Sequence, residues 1–112
     1  VDLMRSRKRP SAIFASNDML GLAALQMARV VGLDVPRDLS VVGMDDLFSA
    51  ESASPALTSV SKHRLEVGTK AAKNLVNQIN SDDAAVKEVV NELVECTLVI
   101  RDSTGPIMKH GA

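Results

Sequence analysis

The sequence predicts an α/β fold built on a parallel sheet, and three observations carry that prediction. Residues 11–15, "SAIFA", and 39–44, "LSVVGM", are short apolar runs without strict alternation, the pattern of strands buried on both faces. Residues 18–31 between them, "DMLGLAALQMARVV", are long enough for a helix and apolar almost all round. Each apolar run also ends in a polar pair, Asn17 with Asp18 and Asp45 with Asp46. Strand, helix and strand within about 35 residues make a βαβ unit, with parallel strands and a right-handed crossover. Parallel neighbours finish at one edge of the sheet. The two polar pairs therefore come to lie side by side at the carboxyl ends, where open α/β sheets bind ligands.

Taken in order, the chain begins with "RSRKRP", residues 5–10, read as the end of a helix whose body lies upstream. Its cations sit against the negative end of the helix dipole, and Pro10 stops the helix. A nucleic-acid patch is the rival reading, but basic clusters of this size are commonplace. After the first strand, Asn17 or Asp18 is a natural N-cap, and Gly32 falls at the C′ position of helix 18–31. Only Gln26 and Arg29 mark a polar stripe on that helix, which predicts burial on more than one side. Met19, Leu22 and Leu25 read as core positions that leave room for a subunit interface.

"VPRD" at 35–38 is a turn before strand 39–44, residues 47–56 are a loop or one short helical turn, and "LTSVS" at 57–61 is a third strand. A helix over 64–80 is expected to bury Leu65, Gly68, Ala72, Leu75 and Ile79 and to turn Lys70, Lys73, Asn77 and Asn80 to water. "NSDDAA" at 80–85 reads as a loop. Residues 88–101 are β-rich, with Glu92, Val94 and Cys96 on one face and Leu93, Glu95 and Thr97 on the other. A loop and tail complete the chain.

Composition narrows the function. The 112 residues suit one small domain, and a hydrophobic fraction of 46% with 24% charged residues is that of a globular protein. A net charge of −1 gives no electrostatic footprint for nucleic acid or a membrane surface. Cys96 is the single cysteine, which excludes an internal disulfide and a cysteine-based zinc site. Phe14 and Phe48 are the only aromatic residues, too few for the stacking platforms of single-strand binders. No apolar run is long enough to span a bilayer. The opening at Val1, without a signal pattern, reads as the middle of a longer polypeptide and is silent on localisation.

Amide and carboxylate side chains gathered at one sheet edge admit three chemistries. A magnesium–phosphoryl site, as in receiver domains, would use Lys62 but needs a third aspartate at an intervening strand end, which is missing. Hydrolysis could draw on Ser16 or Ser61, yet neither stands in a nucleophile elbow. His63 has no carboxylate at an arguable spacing, His110 lies in the tail, and no metal cluster can be assembled. Reversible binding of a polyhydroxylated ligand needs neither nucleophile nor metal. Carboxylate oxygens accept from sugar hydroxyls, and an amide donates and accepts at once. The plain alternative is that these residues are only caps and turns, which suits Asp18 and Asp46 better than Asn17 and Asp45.

"RPSAIFASNDMLGLAALQMARVVGLDVPRDLSVVGMDD", then "PALTSV", then "ELVECTLVIRDSTGP" resemble, in the same order, the C-terminal part of the effector-binding core of the lac-repressor/Gal-repressor (LacI/GalR) family. The resemblance runs from Arg9 to Pro106. It implies a two-subdomain periplasmic-binding-protein-like fold of type I. Residues 1–61 would belong to the C-terminal effector-binding subdomain, 62–97 would cross into the N-terminal subdomain, and 98–112 would be the return segment and tail. The DNA-binding headpiece would lie outside this chain.

Carried over by position, the resemblance implies that Asn17 and Asp45 contact the effector and that Lys62 faces the cleft. Asp18 and Asp46 would brace the loops, and Leu22 and Leu25 would lie on a dimer-forming helix. Met44 and Arg64 stand where family members carry aromatic residues, which leaves the ligand open. The implied partners are a sugar or nucleoside-like effector, operator DNA through the headpiece, and a second copy or more of the chain. No membrane, enzymatic activity, cofactor or metal is implied, and the location is the cytoplasm. A periplasmic sugar-binding protein of a transporter or chemoreceptor system shares the fold and cleft. A helix-turn-helix upstream would mark the regulator, and a signal peptide the transport protein.

Overall fold

The computed structural model describes residues 2–80 and 91–106. The elements run α1 (Asp2–Arg5), β1 (Ala12–Phe14), α2 (Asp18–Val30), β2 (Ser40–Met44), α3 (Phe48–Glu51), β3 (Thr58–Ser61), α4 (Arg64–Asn80) and β4 (Thr97–Val99). One sheet of order β1-β2-β3-β4 contains every strand among the described residues, with β1, β2 and β3 parallel and β4 antiparallel to β3. The helix between β1 and β2 makes the first crossover, and the short α3 lies in the second. Both parallel pairings bring their carboxyl ends to one edge.

Helix α2 is fixed at both ends by local chemistry. Asn17 is extended, with φ −155° and ψ 168°, and its side-chain oxygen accepts the Leu20 N–H at 2.9 Å. At the other end Gly32 takes φ +77°, and the Leu33 N–H returns to the Ala28 carbonyl at 2.9 Å. A side chain at φ +77° would be strained, which is why the helix stops at a glycine. The core lies between α2 and the sheet: Leu25 and Ala28 pack with Leu39, Val41, Ala50 and Leu57, and Met4 of α1 joins them.

Four expectations about burial and extent are corrected. Strand 11–15 is not buried on both faces: Ala12 and Phe14 are exposed, while Ile13 is half-buried against the core and Ala15 is buried. It is the edge strand, and nothing among the described residues covers its second face. Helix α2 is buried on one side only, through Gly21, Leu25 and Ala28, while Met19, Leu20 and Val30 are exposed. Helix α4 buries no residue at all, and Leu65, at 87% exposure, and Ile79, at 70%, stand open. Helical spacing identifies an apolar face but does not supply the surface that covers it. Finally, among the described residues of the β-rich stretch 88–101 only Thr97–Val99 is a strand, paired to Ser59, Val60 and Ser61 of β3. Residues 91–96 are irregular, and 81–90, with His110 and the rest of the tail, lie outside the described residues.

Two quantities express the same departure from a closed globule. The accessible surface is 8325 Å², against about 5,900 Å² for a folded monomer of this mass. The radius of gyration is 19.8 Å, against about 13 Å for a compact chain of this length. Among the described residues no helix is long and apolar enough to cross a membrane.

Candidate functional site

The carboxyl-end edge gathers its polar side chains in two tiers. In the inner tier, Asp18 is completely buried. Its Oδ2 accepts the Leu47 N–H at 2.7 Å and its Oδ1 accepts the Ser59 hydroxyl at 2.5 Å. A carboxylate taken out of water is tolerated only when hydrogen bonds replace its hydration, and both oxygens here are served. Asp18 thus joins the start of α2 to the turn after β2 and to β3.

Asp46 is held from the opposite side. Its backbone N–H donates to Ser59 Oγ at 3.1 Å, and its Oδ1 accepts from Arg101 Nη2 at 2.6 Å. Arg101 also donates through Nη1 to the Leu57 carbonyl at 2.9 Å, while its own N–H donates to Thr58 Oγ1 at 2.9 Å. The guanidinium therefore bridges the turn after β2 and the residue before β3.

In the outer tier, Asp45 Oδ1 meets Lys62 Nζ at 2.6 Å, with side chains 25% and 44% exposed. Asp45 has φ +110° and Asp46 φ +53°. Two successive non-glycine residues in that half of conformational space cost of order 1–3 kcal/mol each, so the surroundings must hold them there. They are held at every step: the Asp45 N–H donates to the Val60 carbonyl at 2.9 Å, and the next two amides go to Ser59 and Asp18 as described.

A cleft of about 580 Å³ opens over this edge, lined by Asp45, Asp46, Ser61 and His63 and by Glu66 and Lys70 of α4. The imidazole of His63 bonds Thr97 Oγ1 at 3.1 Å, so it is joined to β4 rather than to the Ser61 hydroxyl. Lys70 bridges Glu66 and Glu92 at 3.2 and 2.9 Å. Hydrogen bonding to Glu92 and then Glu66 raises the Lys70 pKa, and Lys70, followed by Asn74, holds the Glu92 carboxyl below its ordinary value. Chemically, the cleft presents the Asp45 carboxylate as an acceptor, already paired to the Lys62 ammonium beside it.

The positions singled out in the sequence divide accordingly. Asp45 and Lys62 are in direct contact, but only Asp45 lines the cleft; Lys62, expected to face it, reaches it through Asp45. Asn17 is not among the cleft-lining residues; its oxygen is engaged as the α2 cap, which leaves its NH2 group as the part able to meet a ligand. The Asp18 carboxylate takes the Leu47 amide of the turn, and the Asp46 carboxylate is held by Arg101. Leu25 is a core residue and Leu22 is half-buried, and both line a separate hollow of about 430 Å³ with Arg29, Leu33, Val35 and Pro55. Sequence reasoning missed Ser59 and Arg101. A signal for the first was present: serine and threonine inside a buried strand require partners.

An open sheet, parallel but for one edge strand, with paired carboxylates at its carboxyl ends defines the ligand-binding α/β class. The sequence profile of the periplasmic binding protein-like domain matches residues 1–104, and the chain belongs to that family.

The HTH-type transcriptional regulator DegA of Bacillus subtilis is 39% identical over 101 residues, covering 90% of this chain and 29% of DegA. A LacI family transcriptional regulator from Bifidobacterium animalis superposes with a TM-score of 0.83 at 36% identity, over 96% of this chain and 38% of that one. The transcriptional regulator CelR–cellobiose complex superposes with a TM-score of 0.76 at 40% identity, over 83% of this chain and 28% of that one. The chain thus spans under a third of the length of the curated relative, and these relatives are regulators of transcription rather than enzymes.

Proposed function

We propose that this chain is the effector-sensing and dimerisation region of a LacI-type transcriptional regulator, and that Asp45 and Lys62 hold hydroxyl groups of a sugar. The observation that carries the reading is the Asp45 carboxylate, fixed on a left-handed turn at the ligand edge and paired to an ammonium group. A vicinal diol fits that pair: its hydroxyls donate to the carboxylate and accept from the ammonium. The solved relative with cellobiose bound supports a sugar over a nucleoside-like effector. Regulators among the relatives favour this reading over a transporter's sugar-binding protein of the same fold.

Under this reading residues 1–61 and 98–112 serve the effector-binding subdomain and 62–97 cross to the other. Operator DNA is bound by a helix-turn-helix outside this chain, and the protein works in the cytoplasm without catalysing a reaction. Calorimetry with cellobiose on the full-length protein tests the site. Asp45→Ala should weaken binding about tenfold to 150-fold, the loss of roughly 1.5–3 kcal/mol from a charge-assisted hydrogen bond. An unchanged dissociation constant would refute the role.

Dimerisation is proposed through α2, whose exposed Met19 and Val30 and half-buried Leu22 form an uncovered apolar surface beside the 430 Å³ hollow. A stable pair needs about 800 Å² buried on each partner. Leu22→Arg places a charge in that contact, and light scattering should then report the monomer mass. A dimer that survives the substitution would place the interface elsewhere.

A further inference from the structure

The turn that presents Asp45 is over-determined, and one of its restraints arrives from far along the chain. Three successive amides, of Asp45, Asp46 and Leu47, are each taken by a different acceptor: the Val60 carbonyl, Ser59 Oγ and Asp18 Oδ2. These restraints come from β3 and α2 and act on the backbone amides alone. The Asp46 side chain is the remaining freedom, and Arg101 closes it at 2.6 Å, with side chains only 15% and 24% exposed. The second arm of the guanidinium, at 2.9 Å from the Leu57 carbonyl, prevents it from swinging away. A planar fork can hold two acceptors in fixed directions, which an ammonium cannot.

We propose that Arg101 is a positioning residue for the ligand site: by clamping Asp46 to the Leu57 carbonyl it holds the left-handed turn and so aims the Asp45 carboxylate into the cleft. The inference rests on the reading of Asp45 as a ligand-binding residue. Arg101 does not line the cleft, so it acts through its neighbour rather than on the sugar. Its place two residues after β4 makes the aim of Asp45 depend on the segment that follows that strand.

Amide hydrogen exchange on the 15N-labelled full-length protein tests the clamp without any ligand. Arg101→Met should accelerate exchange at Asp45, Asp46 and Leu47 about tenfold or more relative to Ala28 and Val41 in the core, and Arg101→Lys should fall between. Unchanged exchange at the turn, or acceleration by one common factor throughout the core, overturns the proposal. If the methionine variant does not fold, the lysine variant decides by the same two criteria. D-cellobiose is then added to the wild-type protein. Shifts at the Asp45 and Lys62 resonances that are lost in Arg101→Met at the same concentration support the aiming role, and shifts that persist undiminished overturn it. Wild-type signals that do not move count against the sugar reading of the cleft, while the clamp still stands or falls on exchange alone.

Discussion

Asp18→Ala removes about 3–5 kcal/mol of stability. Two hydrogen bonds to a buried carboxylate are lost, each worth roughly 1.5–3 kcal/mol, and their donors are left without a partner. Those donors are the Leu47 amide and the Ser59 hydroxyl, and the second also receives the Asp46 N–H. The loss therefore reaches both ends of the Asp45–Asp46 turn. Domains of this size are stable by about 5–15 kcal/mol, so the substitution takes a large share. Asp18→Asn is the finer probe: its NH2 group faces one of the two donors, and about half the effect should remain. Urea unfolding followed by circular dichroism measures both. A loss under about 1 kcal/mol for Asp18→Ala would mean that the turn is held by other contacts.

The two-tier edge explains why neighbouring aspartates do unlike work. Asp18 has no exposure and both oxygens occupied, so it can exchange nothing with solvent. Asp45 retains 25% exposure, and its carboxylate pairs with Lys62, itself 44% exposed. An exposed pair of this kind contributes only about 0–1 kcal/mol to stability, so a ligand can rearrange it at little expense. The strain at φ +110° is met by the buried tier, and the exposed tier remains free for recognition.

The parallel sheet and its polar edge were legible because apolar runs bounded by Asn and Asp fix strand type and direction locally. The choice between Asn17 and Asp18 as cap was not: both residue types cap helices, and a single step of register decides which one turns inward. Helix α4 shows a different limit. Its stripe of Leu65, Leu75 and Ile79 is correctly spaced, but burial depends on a second surface that no pattern within the helix encodes. Which groups Arg101 and Ser59 would meet was illegible for a third reason. Their partners lie 55 and 41 residues away, at Asp46 and Asp18, and only folding brings them together.

Gly43→Ala should destabilise by about 1–3 kcal/mol through overpacking, and no trimming of an apolar neighbour should relieve it. Gly43 lies in β2 where α2 crosses it, and its backbone is in the ordinary strand region, so space is the constraint. An added Cβ would run into the Asp18 carboxylate, stand 2.9 Å from Leu57 Cδ2 and 3.3 Å from the Asp18 Cα. The last is backbone and the first is the group on which the turn depends; neither can withdraw. Gly21, facing it from α2, differs in kind. Its added Cβ meets Leu57 Cδ2 at 2.8 Å and Cδ1 at 3.4 Å, both at the end of a side chain. Gly21→Ala combined with Leu57→Val should therefore be more stable than the sum of the two single changes, whereas Gly43→Ala with Leu57→Val should not. Thermal unfolding of the five variants gives both coupling energies. Equal rescue at the two glycines would show that Leu57, not Asp18, sets the spacing of α2 on the sheet.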